Sequence, residues 1–313
     1  MSQQLIEPKP EALKTAASRV VIDWHDYLEL CKPRVVAVML LTAVVGMFLA
    51  TDGLPPLSAV LLGTLGIALA SGSAAAVNQI ADRHIDARMA RTHRRPLPQG
   101  KIAPAQALLF AVVLGVSGIT ILVLWVNPLT GWLTLASLIG YALIYTLYLK
   151  RATPQNIVIG GIAGASPPLL GWVAVTGQLE PDAMLLMLII FAWTPPHFWS
   201  LCIHKRDEYA RANIPMLPVT HGLDYTRLQI CLYTLLMVGT TLLPVMTGMS
   251  GLIYLAGVTV LNLRFMQWAL RVYRGDDSLA PMAMFRFSIS YIMWLFVVLL
   301  ADHYLMQFAG YWL

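Results

Sequence analysis

Long apolar runs dominate the chain after residue 34, and short polar stretches, many with glycine or proline, separate them. About 20 mainly apolar residues in a helix cross the hydrocarbon core of a bilayer. Nine runs reach or approach this length, roughly at 35–51, 57–80, 104–126, 129–149, 156–176, 182–203, 226–247, 251–270 and 284–307. The pattern therefore predicts an all-α, polytopic membrane protein with nine transmembrane helices.

Composition agrees with this prediction. The 313 residues are 58% hydrophobic and only 12% charged, with a mean hydropathy of +0.68, which argues against a water-soluble fold. We expect an N-terminal segment over 1–34, a single membrane domain over 35–307 and a short tail over 308–313. The first residues mix acidic with basic side chains and lack a long apolar core, which argues against a cleaved signal or transit peptide.

The lysine and arginine positions test this arrangement of spans. All 21 lie in the N-terminal segment or in and around the even-numbered connections, and the odd-numbered connections have none. Basic residues concentrate on the cytoplasmic side of membrane proteins, so the N-terminus is predicted to be cytoplasmic and the C-terminus periplasmic or external. Because this asymmetry explains the net charge of +5, no nucleic-acid partner is expected.

Asn78, Asp82 and Asp86 recur every four residues where the second span reaches the cytoplasmic side. At 3.6 residues per turn, this spacing places an amide and two carboxylates on one helix face. Magnesium prefers hard oxygen ligands and is commonly held by one or two carboxylates together with substrate phosphate oxygens. Spacing alone leaves two interpretations equally open: a magnesium-diphosphate clamp, or acids that are solvated or paired with the neighbouring Arg83 and Arg88.

Basic side chains follow on the same predicted surface. Arg91 and Arg95 lie with Arg94 in a turn closed by two prolines, and guanidinium groups bind phosphate oxygens in pairs. Tyr145 and Lys150 end the fourth span, where Lys150 is a candidate second phosphate contact. Both sets have a simpler interpretation, because cytoplasmic loops are generally basic and Tyr and Lys are common interfacial anchors.

The sixth span contains WTPPHFW, in which the two prolines are expected to break the helix one turn from its end, just before His197. An ionisable residue in an apolar span is a functional candidate, here a base or a ligand to a haem iron. The alternative is a neutral histidine hydrogen-bonded at the interface. The next loop holds Lys205, Asp207 and Glu208, and we expect it to form a second charged lip facing the first.

Five segments occur in order between about residues 30 and 225: NQIADRHID, RTHRRPLP, YTLYLKRATPQNIVIGG, PPHFW and DEYARANIPMLP. Together they resemble the protohaem IX farnesyltransferases (haem O synthases), a branch of the UbiA-type intramembrane prenyltransferases. Their ordered occurrence is far more specific than N-x3-D-x3-D alone. The broader superfamily usually has a second D-x-x-x-D motif; this chain has only the pair Asp207 and Glu208 there, as the haem branch does.

The resemblance implies nine helices around a central cavity that opens to lipid, with a cytoplasmic cap formed by the two charged loops. It implies transfer of the farnesyl group of farnesyl diphosphate to a vinyl group of haem b, with addition of water, to give haem O. Mg²⁺ is the expected cofactor. The candidate metal ligands are Asn78, Asp82, Asp86, Asp207 and Glu208; the candidate diphosphate contacts are Asn78, Arg91, Arg95, Tyr145, Lys150 and Lys205; and the candidate catalytic residues are Asp82, Asp86, Lys150 and His197.

Haem b and farnesyl diphosphate are then the expected substrates, a bacterial inner-membrane bilayer is the expected surrounding, and a later haem-modifying enzyme is a further candidate partner. One alternative is a prenyltransferase for an aromatic quinone precursor, which would usually show the second D-x-x-x-D motif. The other is a transporter, in which ionisable residues should concentrate near the bilayer midplane. The predicted charges gather at one surface instead.

Overall fold

A computed structural model of the protein describes residues 23–90 and 92–310, with side chains as far as residue 307. These residues form helices and connecting turns, and no β-strand occurs among them. The α-helices are α1 (Trp24–Leu30), α2 (Pro33–Leu49), α3 (Leu57–Asp86), α4 (Pro104–Ile121), α5 (Pro128–Ile139), α6 (Lys150–Ala152), α7 (Asn156–Ala165), α8 (Pro167–Thr176), α9 (Pro181–His204), α10 (Arg206–Arg211), α11 (Leu217–Thr220), α12 (Gly222–Met246), α13 (Leu252–Arg274) and α14 (Ala280–Gly310). Two π-helical segments, π1 (Leu122–Val126) and π2 (Gly140–Leu149), continue α4 and α5 without a break.

The membrane-spanning part of the prediction is confirmed. In the described ranges, 8 helical segments are long and apolar enough to cross a bilayer, and α1 with α2, bent by 56°, makes a ninth candidate. The fifth span consists of two helices, since α7 ends and α8 begins on either side of Ser166, directly before Pro167 and Pro168. The fold is therefore an all-α, polytopic helix bundle.

One local prediction is wrong. The sixth span is not broken by its prolines: α9 continues through Pro195 and Pro196 to His204. Proline removes a backbone donor, but its fixed φ is compatible with a helix. Both prolines are buried in the bundle, where α9 packs against α7, α12 and α14, and this packing keeps the helix continuous.

Charged connections meet on one face of the bundle. Lys150, directly after π2, contacts Asp82 near the end of α3 at 2.5 Å. Lys101, which precedes α4, donates to Asp26 of α1 at 3.0 Å, and this hydrogen bond raises the pKa of Lys101. The ends of α3 and π2 and the starts of α1 and α4 therefore lie together, on what we call the charged face.

Other contacts define the opposite face. His303, near the end of α14, hydrogen-bonds the backbone carbonyl of Thr51 at 3.1 Å. Asp302, which is buried, accepts from the backbone N–H groups of Gly251 at 2.6 Å and Tyr254 at 3.0 Å, and so caps the start of α13. Since α2 begins at the charged face and ends beside Thr51, the start of α2 and the end of α14 lie on opposite faces.

Helices α2 and α8 pack with their backbones in close contact. A Cβ atom at Gly171 would lie 1.9 Å from the carbonyl oxygen of Ala43, and one at Gly46 would lie 2.3 Å from that of Pro168. Small residues allow such approach between membrane helices. This contact sets the position of α2, whose first turn reaches the functional site.

Candidate active site

The polar face of α3 turns into the protein. Asn78, Asp82 and Asp86 are only 4%, 2% and 4% exposed, respectively. The i, i+4, i+8 spacing predicted one face, and burial now excludes the interpretation that these acids are simply solvated. A buried carboxylate requires a charged or hydrogen-bonding partner, and the partners identify the kind of site.

Three cations from three other parts of the chain contact this face. Lys150 contacts Asp82 at 2.5 Å, and Arg95 contacts Asp86 at 2.6 Å. Lys32, which begins α2 with a positive φ of 52°, donates to the side-chain oxygen of Asn78. Burial, together with the charges of Arg95 and Lys150, lowers the pKa of Lys32 to about 7. The partners are therefore not Arg83 and Arg88: Lys32 and Lys150 come from distant parts of the sequence, and Arg95 comes from the turn that follows α3.

The amide of Asn78 links α3 to π2. Its nitrogen donates to Asp82 at 3.0 Å and to the hydroxyl of Thr146 at 3.2 Å. The Thr146 hydroxyl in turn donates to the backbone carbonyl of Tyr141 at 2.8 Å. These bonds fix the amide so that its oxygen points at Lys32.

The π-helical geometry of π2 brings its polar residues to α3. In an α-helix, at about 100° per residue, Tyr141 and Lys150 would lie about half a turn apart, on opposite faces. The wider i→i+5 turns of a π-helix place positions about five residues apart on one side. Accordingly, Tyr141 lines the internal cavity, Thr146 contacts Asn78 and Lys150 contacts Asp82.

The α3 face fits a Mg²⁺ ion. One carboxylate oxygen of Asp82 is buried and has no hydrogen-bond partner in the described part of the chain, although the other oxygen has two. The donors available there are amide and carboxylate oxygens, which Mg²⁺ prefers. No group of three or more His, Cys, Asp or Glu side chains suited to a metal occurs in residues 23–90 and 92–310. Mg²⁺ commonly binds through one or two carboxylates, with water and phosphate oxygens as its other ligands.

The second charged loop is organised differently. Lys205 and Glu208 pair with each other at 2.6 Å, and the second carboxylate oxygen of Glu208 is buried without a hydrogen-bond partner within the described ranges. Asp207 is exposed. Arg91 lies outside the described residues. The structure thus brings together Asn78, Asp82, Asp86, Arg95 and Lys150, and Lys205 and Glu208 pair with each other instead.

A cavity of about 540 Å³ runs inward from the α3 site. Lys32 and Arg34 line its end at the charged face, and His197 lines it deeper in the membrane. Most of the remaining lining is apolar or aromatic, from α2, α3, α5, π2, α7, α8, α9 and α14. Such a space accommodates a long apolar chain whose polar head lies at α3.

Tyr145 is placed by packing rather than by a polar contact. Its ring stacks on Tyr141 at 5.4 Å between centroids, and a Cβ atom at Gly160 would lie 2.2 Å from it. A Cβ atom at Gly164, four residues further along α7, would have nothing within 4 Å, and Gly164 lines the cavity.

His197 is enclosed by aromatic rings. Trp193 stacks on it at 4.2 Å and Phe285 at 4.7 Å between ring centroids. Its Nδ1 atom lies 2.5 Å from the hydroxyl of Ser288 on α14. The imidazole therefore has a fixed plane and a polar partner inside an apolar span.

Sequence reasoning missed Lys32, Tyr141, Thr146 and Ser288. Lys32 was considered only as one of the many basic residues that indicate membrane topology. The other three residues lie in apolar spans and belong to no motif. The available signal was the position of Lys32 directly before a proline that begins a span, which places its side chain at the membrane surface.

The fold and this site define a class of protein. The UbiA prenyltransferase family profile matches residues 39–307, and the chain belongs to this family. Among solved structures, a digeranylgeranylglyceryl phosphate synthase aligns with a TM-score of 0.76 and 18% identity, covering 90% of this chain and 98% of that one. A UbiA homologue from Archaeoglobus fulgidus, bound to GPP and Mg²⁺, aligns with a TM-score of 0.61 and 17% identity over 88% and 99% of the two chains. Both share the fold.

Similar proteins within the family carry a more specific name. "Protoheme IX farnesyltransferase" from Marinobacter nauticus is 63% identical over 283 residues, covering 90% of this chain and 94% of the relative. The protein of that name from Hahella chejuensis is 60% identical over 291 residues, covering 93% and 97%. The resemblance carried by the five sequence motifs is therefore confirmed.

Proposed function

We propose that the protein transfers the farnesyl group of farnesyl diphosphate to a vinyl group of haem b and, with addition of water, forms haem O. The observation that carries this proposal is the buried Asn78, Asp82 and Asp86 face, ringed by three cations, at the end of an apolar cavity. The curated relatives named for this reaction, at about 60% identity, support it.

Asn78, Asp82 and Asp86 would hold Mg²⁺, which neutralises charge on a departing diphosphate. Asp207 and Glu208 stay candidate ligands for a further ion. Lys32, Lys150 and Arg95 lie beside the same face and would bind the diphosphate oxygens through charge-assisted hydrogen bonds.

Three further residues are candidates for contacting the head group. Arg91, Lys205 and Tyr145 are proposed to complete the diphosphate site, from the Arg-rich turn, the second charged loop and π2, respectively. Positioned cations stabilise the charge that develops as an allylic diphosphate ionises.

The cavity would hold the fifteen-carbon chain and exclude water until the new carbon–carbon bond has formed. Tyr141, Trp193 and Phe285 line it, and aromatic faces stabilise a cation. The vinyl π electrons of haem form a bond to C1 of the farnesyl group. Water then adds to the resulting cation and loses a proton, which leaves the hydroxyl group. His197 is the candidate residue for holding haem or that water.

We further propose that the charged face is cytoplasmic, that the end of α14 is periplasmic or external, and that the membrane is a bacterial inner membrane. The basic residues on one side of the spans support this orientation. A haem-modifying enzyme that uses haem O stays a candidate partner. The transporter alternative is disfavoured because the ionic network lies at the ends of α3 and π2 rather than at mid-membrane.

The test is reconstitution. Purified protein in lipid nanodiscs is incubated with haem b, farnesyl diphosphate and Mg²⁺, and the extracted haem is analysed by mass spectrometry. Haem O should form, should disappear with EDTA, and should return with excess Mg²⁺. A parallel reaction contains 4-hydroxybenzoate in place of haem b. Prenylation of that acceptor without any haem product would replace this proposal by the quinone-precursor alternative.

A further inference from the structure

The position of His197 in the cavity is fixed by two helices. The flanking rings of Trp193 and Phe285 are nearly parallel to the imidazole, at 16° and 24°. Trp193 also donates its indole N–H to the backbone carbonyl of Ser288 at 3.0 Å. The imidazole thus cannot rotate out of its plane without disturbing the contact between α9 and α14.

The hydrogen bonds identify the tautomer. The Ser288 hydroxyl lies 2.7 Å from the carbonyl of Phe285, which can only accept, and 2.5 Å from Nδ1 of His197. With a single hydroxyl hydrogen, both contacts are hydrogen bonds only when Ser288 donates to the carbonyl and accepts from His197, so we assign the hydrogen to Nδ1. The lone pair of the neutral ring is then on Nε2.

That lone pair has no hydrogen-bond partner in the part of the chain that the structure describes. No hydrogen bond within the described ranges involves Nε2 of His197, and this nitrogen is not among the fully enclosed polar atoms that lack a partner. Since His197 lines the cavity, Nε2 is accessible from it. Protonating Nε2 would place an unpaired positive charge among apolar side chains, which is costly. A neutral acceptor or ligand is the favoured state.

A histidine that donates one N–H to a protein acceptor and presents the other nitrogen to a cavity has the arrangement of a metal-binding imidazole. We propose that His197 ligates the iron of the haem substrate through Nε2, and that Ser288 is the positioning residue that holds the ring in this tautomer. The inference rests on the proposed function, because it requires haem to enter the cavity.

The depth of His197 suits a bound haem. It lies seven residues before the end of α9, which corresponds to about 10 Å along the helix at 1.5 Å per residue. An iron held there keeps the macrocycle inside the cavity, below the Lys32 and Arg34 end. Ligation would therefore set the distance between the vinyl groups and the diphosphate site.

The experiment uses the full-length protein in nanodiscs with haem b and no farnesyl diphosphate. After reduction, resonance Raman spectroscopy measures the iron–histidine stretching band, and titration of the Soret absorption gives haem affinity. The wild type should show the band. His197→Ala should lose it, and added imidazole should restore it. Retention of the band in His197→Ala overturns the assignment.

Substitution of Ser288 tests its positioning role, and substitution of Ser200 is the matched control. Ser200 is also buried, and its hydroxyl bonds the backbone carbonyl of His197 at 2.7 Å rather than the ring. Ser288→Ala should lower the frequency of the iron–histidine band and weaken haem binding about tenfold, since loss of the group that hydrogen-bonds a metal-binding histidine costs about 10–100-fold in metal affinity. Ser288→Thr should retain the wild-type band, and Ser200→Ala should leave the band unchanged. Equal band positions in Ser288→Ala and the wild type overturn the positioning role.

The haem O assay separates the two proposals. If haem O forms but the reduced wild-type complex has no iron–histidine band, iron ligation is wrong and the proposed function stands. If the protein neither binds haem b nor forms haem O, the proposed function itself fails, and this inference fails with it.

Discussion

Lys150 and Asp82 are 68 residues apart in the chain, yet their side chains meet at 2.5 Å. Both are largely enclosed, with 15% and 2% of their side-chain surface exposed, so the contact is stronger and less screened than a surface ion pair. The two partners also suit opposite ligands: a divalent cation would compete for Asp82, and a diphosphate would compete for Lys150. In the absence of ligands, Lys150 and Asp82 therefore neutralise each other's charge.

Lys150→Met should increase the response of the protein to Mg²⁺. Removing one partner of a buried pair leaves an uncompensated charge, typically at a cost of about 3–5 kcal/mol. Thermal unfolding in nanodiscs should therefore show a lower Tm without metal and a larger rise in Tm on addition of Mg²⁺ than in the wild type. Arg227→Met, which removes the partner of the exposed Asp224, should show neither effect. An equal Mg²⁺ response in both variants would contradict metal binding at Asp82.

Asp82→Asn should reduce haem O formation at least about a hundredfold. The substitution keeps size and one oxygen but removes the charge that faces Lys150 and one of the two carboxylate oxygens proposed to bind the metal. Loss of electrostatic stabilisation of this kind costs about 10²–10³ in kcat. Initial rates at saturating farnesyl diphosphate measure it.

The control for that substitution is Asp224→Asn, at an exposed carboxylate in the first turn of α12. It should keep wild-type turnover. Near-normal activity of a folded Asp82→Asn protein would show that the α3 face does not bind the metal.

Lys32→Gln should mainly raise KM for farnesyl diphosphate. Lys32 contacts Asn78 and lines the cavity, so in the proposed binding mode its charge would lie where the head group and the isoprenoid chain join. Hydrogen bonds to charged groups contribute about 1.5–3 kcal/mol, which corresponds to roughly a 10–100-fold change. Steady-state kinetics with varied farnesyl diphosphate measures it, with Arg274→Gln at the exposed end of α13 as the control. A change in kcat alone would remove Lys32 from the binding site.

The part of the candidate site that depends only on helical periodicity could be predicted from the sequence. The four-residue spacing of Asn78, Asp82 and Asp86 places them on one face of any regular helix. In the structure that face is buried. The single charged face followed from the basic residues, because their distribution depends on membrane insertion and not on packing.

The remaining site residues could not be predicted because they depend on departures from regular structure. Tyr141 lies on the same side as Thr146 and Lys150 only because the segment is π-helical. Lys32 reaches Asn78 from a positive-φ position before α2. Pro195 was expected to break α9, and tertiary packing keeps that helix continuous.

Thr146→Val tests the contribution of π2. Valine matches threonine in shape but removes the hydroxyl that accepts from Asn78 and donates to the carbonyl of Tyr141. An unsatisfied buried amide donor costs about 1–3 kcal/mol, so kcat/KM should fall about tenfold as the Asn78 amide loses its fixed orientation. Thr234→Val removes a buried hydroxyl of α12 that bonds only its own helix, and it should be silent. Identical kinetics for the two variants would mean that the orientation of Asn78 is unimportant.

Gly171→Ala tests whether close packing of α2 on α8 holds the site together. The added Cβ atom would lie 1.9 Å from the backbone oxygen of Ala43, and neither backbone can shift alone, because Gly46 and Pro168 are in similarly close contact nearby. Overpacking a tight contact costs about 1–3 kcal/mol and more when backbone must move, so the Tm in nanodiscs should fall markedly. At Gly239, inside α12, an added Cβ atom would meet nothing within 4 Å, and Gly239→Ala should be neutral or slightly stabilising, since alanine favours a helix by up to about 1 kcal/mol. If the two substitutions change the Tm equally, helix propensity rather than the approach of α2 to α8 controls the stability of this part of the bundle.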